Sequence, residues 1–148
     1  MADMDFDLIV LGGGSGGLAG AFRAAEHGAR VAMLEPMALG GTCVNAGCVP
    51  KKAMWLAADL ASRMRMAPAL GFDVGEVRLS WPEFIAHRQR YIHNIHENYR
   101  RRLDAAGIVV RPTRARLVAR NAVACEDGVA LRASKILIAT GGHERHVD

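Results

Sequence analysis

Apolar residues recur along this chain with two different periods, and the switches between them mark the elements. Asp7-Leu8-Ile9-Val10-Leu11 is an apolar run that ends in glycines, the pattern of a strand buried on both faces. From Ser15 to His27 the residues are small and apolar, with Arg23 and Glu26 on the outer face, which predicts a helix closing at Gly28. Arg30–Glu35 reads as a second strand, so the first 35 residues form one βαβ unit. Pro36 to Thr42 is loop. A helix then runs from about Cys48 to Met66 and is ended by Pro68 and Gly71. Ser80-Trp81-Pro82-Glu83 is a capping box with proline in the first turn. Phe84, Arg88, Tyr91, Ile95, Tyr99 and Leu103 follow at helical spacing, predicting a helix of about 25 residues that closes at Gly107. Short strands come next, at Ile108–Arg111, Ala115–Ala119, Ala122–Glu126 and Val129–Arg132, with Asp127-Gly128 as a two-residue hairpin turn. A last strand, Lys135–Ala139, ends at Thr140-Gly141-Gly142.

The chain has 148 residues, one domain's worth at roughly 100–200 residues per domain. Hydrophobic residues make up 51% and charged residues 23%, which excludes a disordered chain. Lys+Arg 19 against Asp+Glu 15 gives +4, too mild an excess to imply nucleic acid. The arginines at 88, 90, 100–102, 111, 114, 116 and 120 read as a solvated face, because Tyr91 and Tyr99 lie on the apolar stripe instead of interleaving with them. No apolar run approaches the ~18–20 residues of a membrane-spanning helix. The acidic start Met1-Ala2-Asp3-Met4-Asp5 leads straight into a strand and is no signal peptide, so a cytoplasmic setting without membrane association is expected. His93 and His96 have no third metal ligand beside them, so no metal site is expected. Trp55, Met54, Met64 and Met66 read as helix core or interface, and Cys125 as a buried or edge thiol in the meander.

Two motifs carry chemistry. Gly12-Gly13-Gly14-Ser15-Gly16-Gly17 holds G-x-G-x-x-G at Gly12, Gly14 and Gly17, between a strand and a helix. The first glycine permits the tight turn, the second the approach of a pyrophosphate to the backbone, and the third close helix–strand packing. The pyrophosphate then rests on the helix N-terminus, where Ser15 and Gly16 lie. Glu35 closes the second strand, where a carboxylate accepts hydrogen bonds from both hydroxyls of an adenosine ribose and repels a 2′-phosphate. The motif suits FAD or NAD and disfavours NADP.

Gly40-Gly41-Thr42-Cys43-Val44-Asn45-Ala46-Gly47-Cys48-Val49-Pro50-Lys51-Lys52 is the second motif. Five residues of regular helix rise ~7.5 Å and put the two α-carbons about 8–9 Å apart, beyond the ~7 Å limit for a disulfide. An extended strand would hold them about 16 Å apart. A Cys43–Cys48 disulfide therefore needs a distorted segment, for which Gly47 supplies the freedom, while Pro50 loses a donor only in the first helical turn. At the helix start Cys48 has the dipole and Lys51 or Lys52 to favour its thiolate, so such a disulfide would be redox-active.

These motifs, with Ile136-Leu137-Ile138-Ala139-Thr140-Gly141-Gly142, resemble the class I flavoprotein disulfide reductases, and among them the glutathione-type reductases. The resemblance runs to Gly142 and implies an α/β fold, a Rossmann-like FAD-binding domain in three layers with a parallel sheet and a β-meander. It implies FAD contacts at Gly12, Gly14, Ser15, Gly16, Gly17, Glu35, Gly41, Thr42, Ala115, Thr140 and Gly141, with the backbone near Arg114. Cys48 becomes the flavin-facing thiol, Cys43 the interchange thiol that attacks glutathione disulfide, and Lys51 a cation beside the flavin ring. Tyr99, eight residues after Tyr91, matches a tyrosine that lies over bound glutathione. Pro50-Lys51-Lys52 favours the glutathione-type enzymes over lipoamide dehydrogenases and mercuric reductases, which carry Ser-Lys after that proline. Ala19 and Phe22 argue against the cationic substrate of trypanothione reductases, although Phe22 also departs from the arginine of animal glutathione reductases. Ala46 replaces the commoner valine in the redox loop.

Members of the family continue past the Ala-Thr-Gly-Gly stretch into an NADPH domain, the rest of the FAD domain and an interface domain whose histidine serves the partner subunit of a homodimer. The expectation is therefore an N-terminal FAD-domain portion over residues 1–142 with a tail at 143–148, a piece that does not turn over by itself. The alternatives are a non-catalytic nucleotide-binding module and a related reductase with another small disulfide as substrate.

Overall fold

The computed structural model describes residues 5–142; the expectations about the acidic first residues and the 143–148 tail lie outside them. The chain groups into two compact units, one of Met1–Gly41 with His96–Asp148 and one of Thr42–Ile95. The 148 residues read as one domain thus form two units.

In the first unit, β1 (Phe6–Leu11) leads through the glycine turn into α1 (Ser15–Glu26) and then β2 (Val31–Leu34). β3 (Val109–Arg111), β4 (Ala115–Ala119), β5 (Ala122–Cys125) and β6 (Ala130–Ile138) complete a six-stranded sheet in the order β3-β2-β1-β6-β5-β4. β1 pairs in parallel with β2, Ile9 opposite Ala32, and with β6, Ile9 opposite Ile136. β5 pairs antiparallel with both β4 and β6.

The period of two along β1 and β2 assigns the layers. Ile9, Leu11, Ala32 and Leu34 form one buried cluster with Val123, Cys125, Leu131 and Ala133 of the meander. Val10, Val31 and Met33 point the other way and join Leu18 and Ala21 of α1 and Leu103. Helix, parallel sheet and meander are the three layers that the sequence predicts.

Two local expectations need correction. Val129–Arg132 and Lys135–Ala139 are not separate strands, because β6 runs unbroken from Ala130 to Ile138. Its first residues pair with β5 and its later ones with β1, so one strand serves both layers. The polar Arg132 and Ser134 that suggest a break are the exposed residues of an alternating strand, with Leu131 and Ala133 buried between them. Nor is Asp127-Gly128 a two-residue turn. Cys125 N–H donates to the Val129 carbonyl at 2.8 Å and Gly128 N–H to the Cys125 carbonyl at 3.1 Å, which makes a three-residue loop, Glu126–Gly128. Only Gly128 has a positive φ, +84°, so the turn is a type I turn closed by a glycine bulge.

The second unit holds α2 (Gly41–Asn45) from Thr42 onward, α3 (Cys48–Met66), a 3₁₀ turn at Ala67–Leu70 that ends at Gly71, and α4 (Trp81–Ala105) as far as Ile95. The Ser80 carbonyl accepts from Phe84 N–H at 3.0 Å where α4 begins. At its C-terminal end, within the first unit, Gly107 N–H bonds the Asp104 carbonyl and Ile108 N–H the Leu103 carbonyl, both at 3.0 Å. Met54, Trp55 and Met66 are exposed and Met64 half-buried, so the core half of that expectation is not met. No helix of the described residues is long and apolar enough to cross a membrane.

The tightest constraint is at the glycines. A Cβ on Gly17 would lie 1.9 Å from the Gly12 carbonyl oxygen, whereas one on Gly16 would meet nothing within 4 Å. Gly17→Ala is therefore expected to destabilise the chain by more than about 3 kcal/mol, beyond the usual cost of overpacking, since the obstacle is backbone. Gly16→Ala is expected to shift stability by less than about 1 kcal/mol, toward a firmer helix. Urea unfolding midpoints at constant slope check both.

Candidate functional site

The candidate nucleotide cleft is built where β1 meets α1. Gly12 takes φ +102°, and a Cβ there would come within 2.4 Å of the Ala139 carbonyl oxygen, so only glycine lets the turn pass the end of β6. Gly14 is the N-cap of α1, in extended conformation, and offers no side-chain cap; no acidic residue stands in the first turn. The amides there are left for an anion, and the open space over Gly16 gives it room. Gly41, at φ +59°, lies against Gly14, where a Cβ would be 2.9 Å from the Gly14 α-carbon.

Glu35 fixes the opposite wall. One carboxylate oxygen accepts from Gly13 N–H and the other from Met37 N–H, each at 2.7 Å. A carboxylate has about four lone-pair sites, so two remain for a diol. Glu35 shares a cleft of about 440 Å³ with Gly12, Arg114, Ala115 and Thr140, within the roughly 300–1,000 Å³ of ligand pockets. Gly141 follows at φ +78°. An adenosine with a free ribose fits this donor and acceptor set.

On the same cleft, Cys125 is buried, and burial pushes its thiol up, with the nearby Asp127 carboxylate adding to the rise. Arg111 bonds Asp127 at 2.6 Å and holds that carboxyl below its ordinary range.

The thiol motif belongs to the second unit. α2 and α3 are separate helices, broken at Ala46-Gly47, and Gly47 sits at φ −119°, ψ −107°. Ala46 N–H closes α2 on the Thr42 carbonyl at 2.9 Å, and Lys51 N–H opens α3 on the Gly47 carbonyl at 3.0 Å. A Cβ on Gly47 would lie 3.0 Å from the Thr42 carbonyl oxygen, so the break is tight as well as distorted. It is the distortion that the spacing demanded. Both cysteines are thiols here, Cys43 half-buried and Cys48 exposed. A side-chain hydrogen bond to Cys48 is the main reason that the Cys43 thiol is pushed above its ordinary range, followed by desolvation; the Cys48 backbone N–H and the charge of Lys51 pull the other way. Lys52 is occupied differently, with its Nζ 4.0 Å from the centre of the Trp55 ring. Beside Cys48 a groove of about 880 Å³ runs between α3 and α4, lined by Leu56, Leu60, Phe84 and Tyr91 with Lys51, Lys52 and Arg88.

The structure thus gathers Gly12, Gly14, Ser15, Gly16, Gly17, Glu35, Gly41, Ala115, Thr140 and Gly141 in the first unit, and Thr42, Cys43, Cys48 and Lys51 in the second. Tyr99 lies in the first unit, half-buried on the cluster of Leu18, Ala21 and Leu103, and is no part of the cleft lining. Two contributors escaped sequence reasoning. Gly13, a variable position of the motif, donates to Glu35 and is covered by the Leu39 side chain, where a Cβ would clash at 2.8 Å. Thr113 is buried and donates from its hydroxyl to the Arg114 carbonyl at 3.1 Å, shaping the cleft wall. A third consecutive glycine was the available signal for Gly13; nothing marks Thr113. Among the described residues no three His, Cys, Asp or Glu side chains could hold a metal.

The family model described as pyridine nucleotide-disulphide oxidoreductase matches residues 6–148. A glutathione reductase of Yarrowia lipolytica is 42% identical over 97% of this chain and 33% of its own length. A glutathione reductase of Schizosaccharomyces pombe is 44% identical over 93% of the chain and 31% of its own. A protein of Emiliania huxleyi named thioredoxin reductase SEP1 is 36% identical over 99% of the chain and 32% of its own. The chain spans about a third of the length of these relatives.

The hydrogen bond to Cys48 sets the acid–base behaviour of Cys43. In the reduced chain, Cys48→Ala is expected to move the pH profile of Cys43 alkylation to lower pH, because it removes the largest cause of the upward shift. Iodoacetamide labelling followed by peptide mass spectrometry reads it.

Proposed function

Because the chain belongs to the pyridine nucleotide-disulphide oxidoreductases, we propose that it forms the FAD- and thiol-bearing part of a flavoprotein that uses NADPH to reduce glutathione disulfide. The observation that carries this reading is the Gly47 break, which ends α2 soon after Cys43 and starts α3 at Cys48, leaving Cys48 the main influence on the acidity of Cys43. The names of the yeast relatives support glutathione as the substrate, and the thioredoxin reductase among the relatives marks the same thiol chemistry on another disulfide as the second reading. The reducing cytoplasm is the proposed setting and a homodimer the proposed assembly.

The residues present fit FAD. The α1 amides and the glycine turn would hold its pyrophosphate and Glu35 its ribose. Ala115 and Thr140 line the adenosine cleft. FAD supplies there a two-electron carrier between NADPH and the thiol pair.

In the substrate half-reaction, the Cys43 sulfur, once deprotonated, attacks one sulfur of the substrate disulfide. The substrate S–S bond breaks, a Cys43–substrate disulfide forms, and the first thiol leaves with a proton from an acid outside these residues. Cys48, giving up its proton, then attacks the Cys43 sulfur; the Cys43–substrate bond breaks, the second sulfur leaves and takes up that proton, and the Cys43–Cys48 disulfide closes. Two electrons have passed from the pair to the substrate. Because the hydrogen bond to Cys48 holds Cys43 protonated, an external base must start the sequence. Lys51 eases that step by its charge. Tyr99 is proposed to cover the bound substrate.

Purified protein titrated with FAD tests the reading. Binding seen in the visible flavin absorption is expected for the wild type and is expected to weaken at least tenfold in Glu35→Ala, which loses two charge-assisted hydrogen bonds. A protein that ignores FAD would falsify the reading.

A further inference from the structure

Three segments, residues 34–37, 113–116 and 124–126, make most of the wall of the cleft that holds Glu35, and all lie in the first unit. Backbone joins them in series. The Arg111 carbonyl accepts from Glu35 N–H at 3.0 Å and from Thr113 N–H at 2.9 Å, and the Arg114 carbonyl accepts from Glu126 N–H at 2.9 Å. The buried Thr113 hydroxyl donates to that same Arg114 carbonyl at 3.1 Å. One side-chain contact closes the circuit. Arg111 Nη2 donates to one Asp127 oxygen at 2.6 Å, and the other Asp127 oxygen accepts from Val129 N–H at 3.1 Å.

Stability alone does not account for this pair. The Arg111 and Asp127 side chains are 32% and 40% exposed, and ion pairs so open to water contribute little. Arg111 Nε is buried with no hydrogen-bond partner among the described residues, a cost that the contact to Asp127 does not remove. The two residues nevertheless stand where the wall is joined. Arg111 holds the backbone of Glu35, whose carboxylate is oriented by Gly13 and Met37 N–H. Asp127 follows Glu126, which holds the Arg114 carbonyl. Neither side chain lines the cleft, so the pair reaches a ligand only through the wall that it ties.

We propose that Arg111 and Asp127 are a positioning pair that fixes the spacing between Glu35 and Arg114, and thereby governs how tightly the chain holds an adenosine diphosphate group. This rests on the reading of the cleft as the seat of the FAD adenosine, and adds the two residues that set its dimensions.

Calorimetric titration of the full chain with ADP and, separately, with FAD tests it, beside urea unfolding of the unliganded chain. Arg111→Met and Asp127→Asn are each expected to weaken both ligands about fivefold, with unfolding midpoints near that of the wild type. The double variant is expected to bind no more weakly than either single one, because the pair acts as a unit. Arg111→Lys, which keeps the cation without the planar fork, is expected to recover part of the loss. Cys125, buried on the same wall, reports its movement. Loss of the Arg111 charge by itself pushes that thiol up and slows alkylation, so faster iodoacetamide labelling of Cys125 in Arg111→Met, read by peptide mass spectrometry, is the expected sign of an opened cleft. ADP affinities within about twofold of wild type in both single variants, or losses that add in the double variant, would overturn the pair. So would a drop in unfolding midpoint large enough to explain the weaker binding, or labelling of Cys125 no faster than in the wild type. A wild type that binds ADP and ignores FAD overturns the flavoprotein reading and leaves the pair standing; one that binds neither overturns both.

Discussion

The glycine-lined cleft at the head of α1 exists because two stretches of backbone touch where no side chain fits. Gly17 has its absent Cβ against the Gly12 carbonyl, and Gly12 has its own against the end of β6. Those contacts press the first turn of α1 onto the junction of β1 and β6 and leave its amides uncapped. Glu35 then ties the turn to β2 through Gly13 N–H, and Gly20 lets α1 settle against Leu137. The sheet order follows from the same point: β6 must lie beside β1 for Ala139 to close the turn, and β6 can reach that place because it extends from the meander without a break.

The thiol loop solves a comparable problem by the opposite means. Around Gly12 a missing side chain allows close packing; at Gly47 it allows a break. A continuous helix would hold Cys43 and Cys48 apart, and the interruption between α2 and α3 folds the chain back so that the two sulfurs meet. The interaction with Cys48 pushes the Cys43 thiol above its ordinary range. Reactivity is then set by whatever removes one proton, and the two lysines that follow are not equivalent in that task. The charge of Lys51 reaches Cys43, while Lys52 is held over Trp55.

Most of the first unit was legible in the sequence, since its signals are local and covalent: glycines where φ is positive, apolar runs for buried strands, a carboxylate after the second strand. The strand break that the sequence suggested between Arg132 and Lys135 is absent because burial on one face, at Leu131 and Ala133, outweighs polar residues on the other. The Asp127-Gly128 pair reads as a two-residue turn, yet Asp127 keeps a negative φ while its carboxylate bonds Val129 N–H and Arg111. Long-range partners decide such turns, and a local motif does not contain them. The same holds for Thr113 and for Arg102 over Phe22, which lie eighty residues apart in sequence. Met54, Trp55 and Met66 of α3 read from composition as helix core or interface, and the structure leaves all three exposed.

Charge is used here to discriminate as much as to bind. The carboxylate of Glu35 can take a ribose diol, but a 2′-phosphate brought to the same place would face an acceptor whose oxygens are already aligned by two backbone amides. Reorienting it would release both amides, so repulsion cannot be relieved cheaply. The cleft therefore suits a dinucleotide whose adenosine ribose is free.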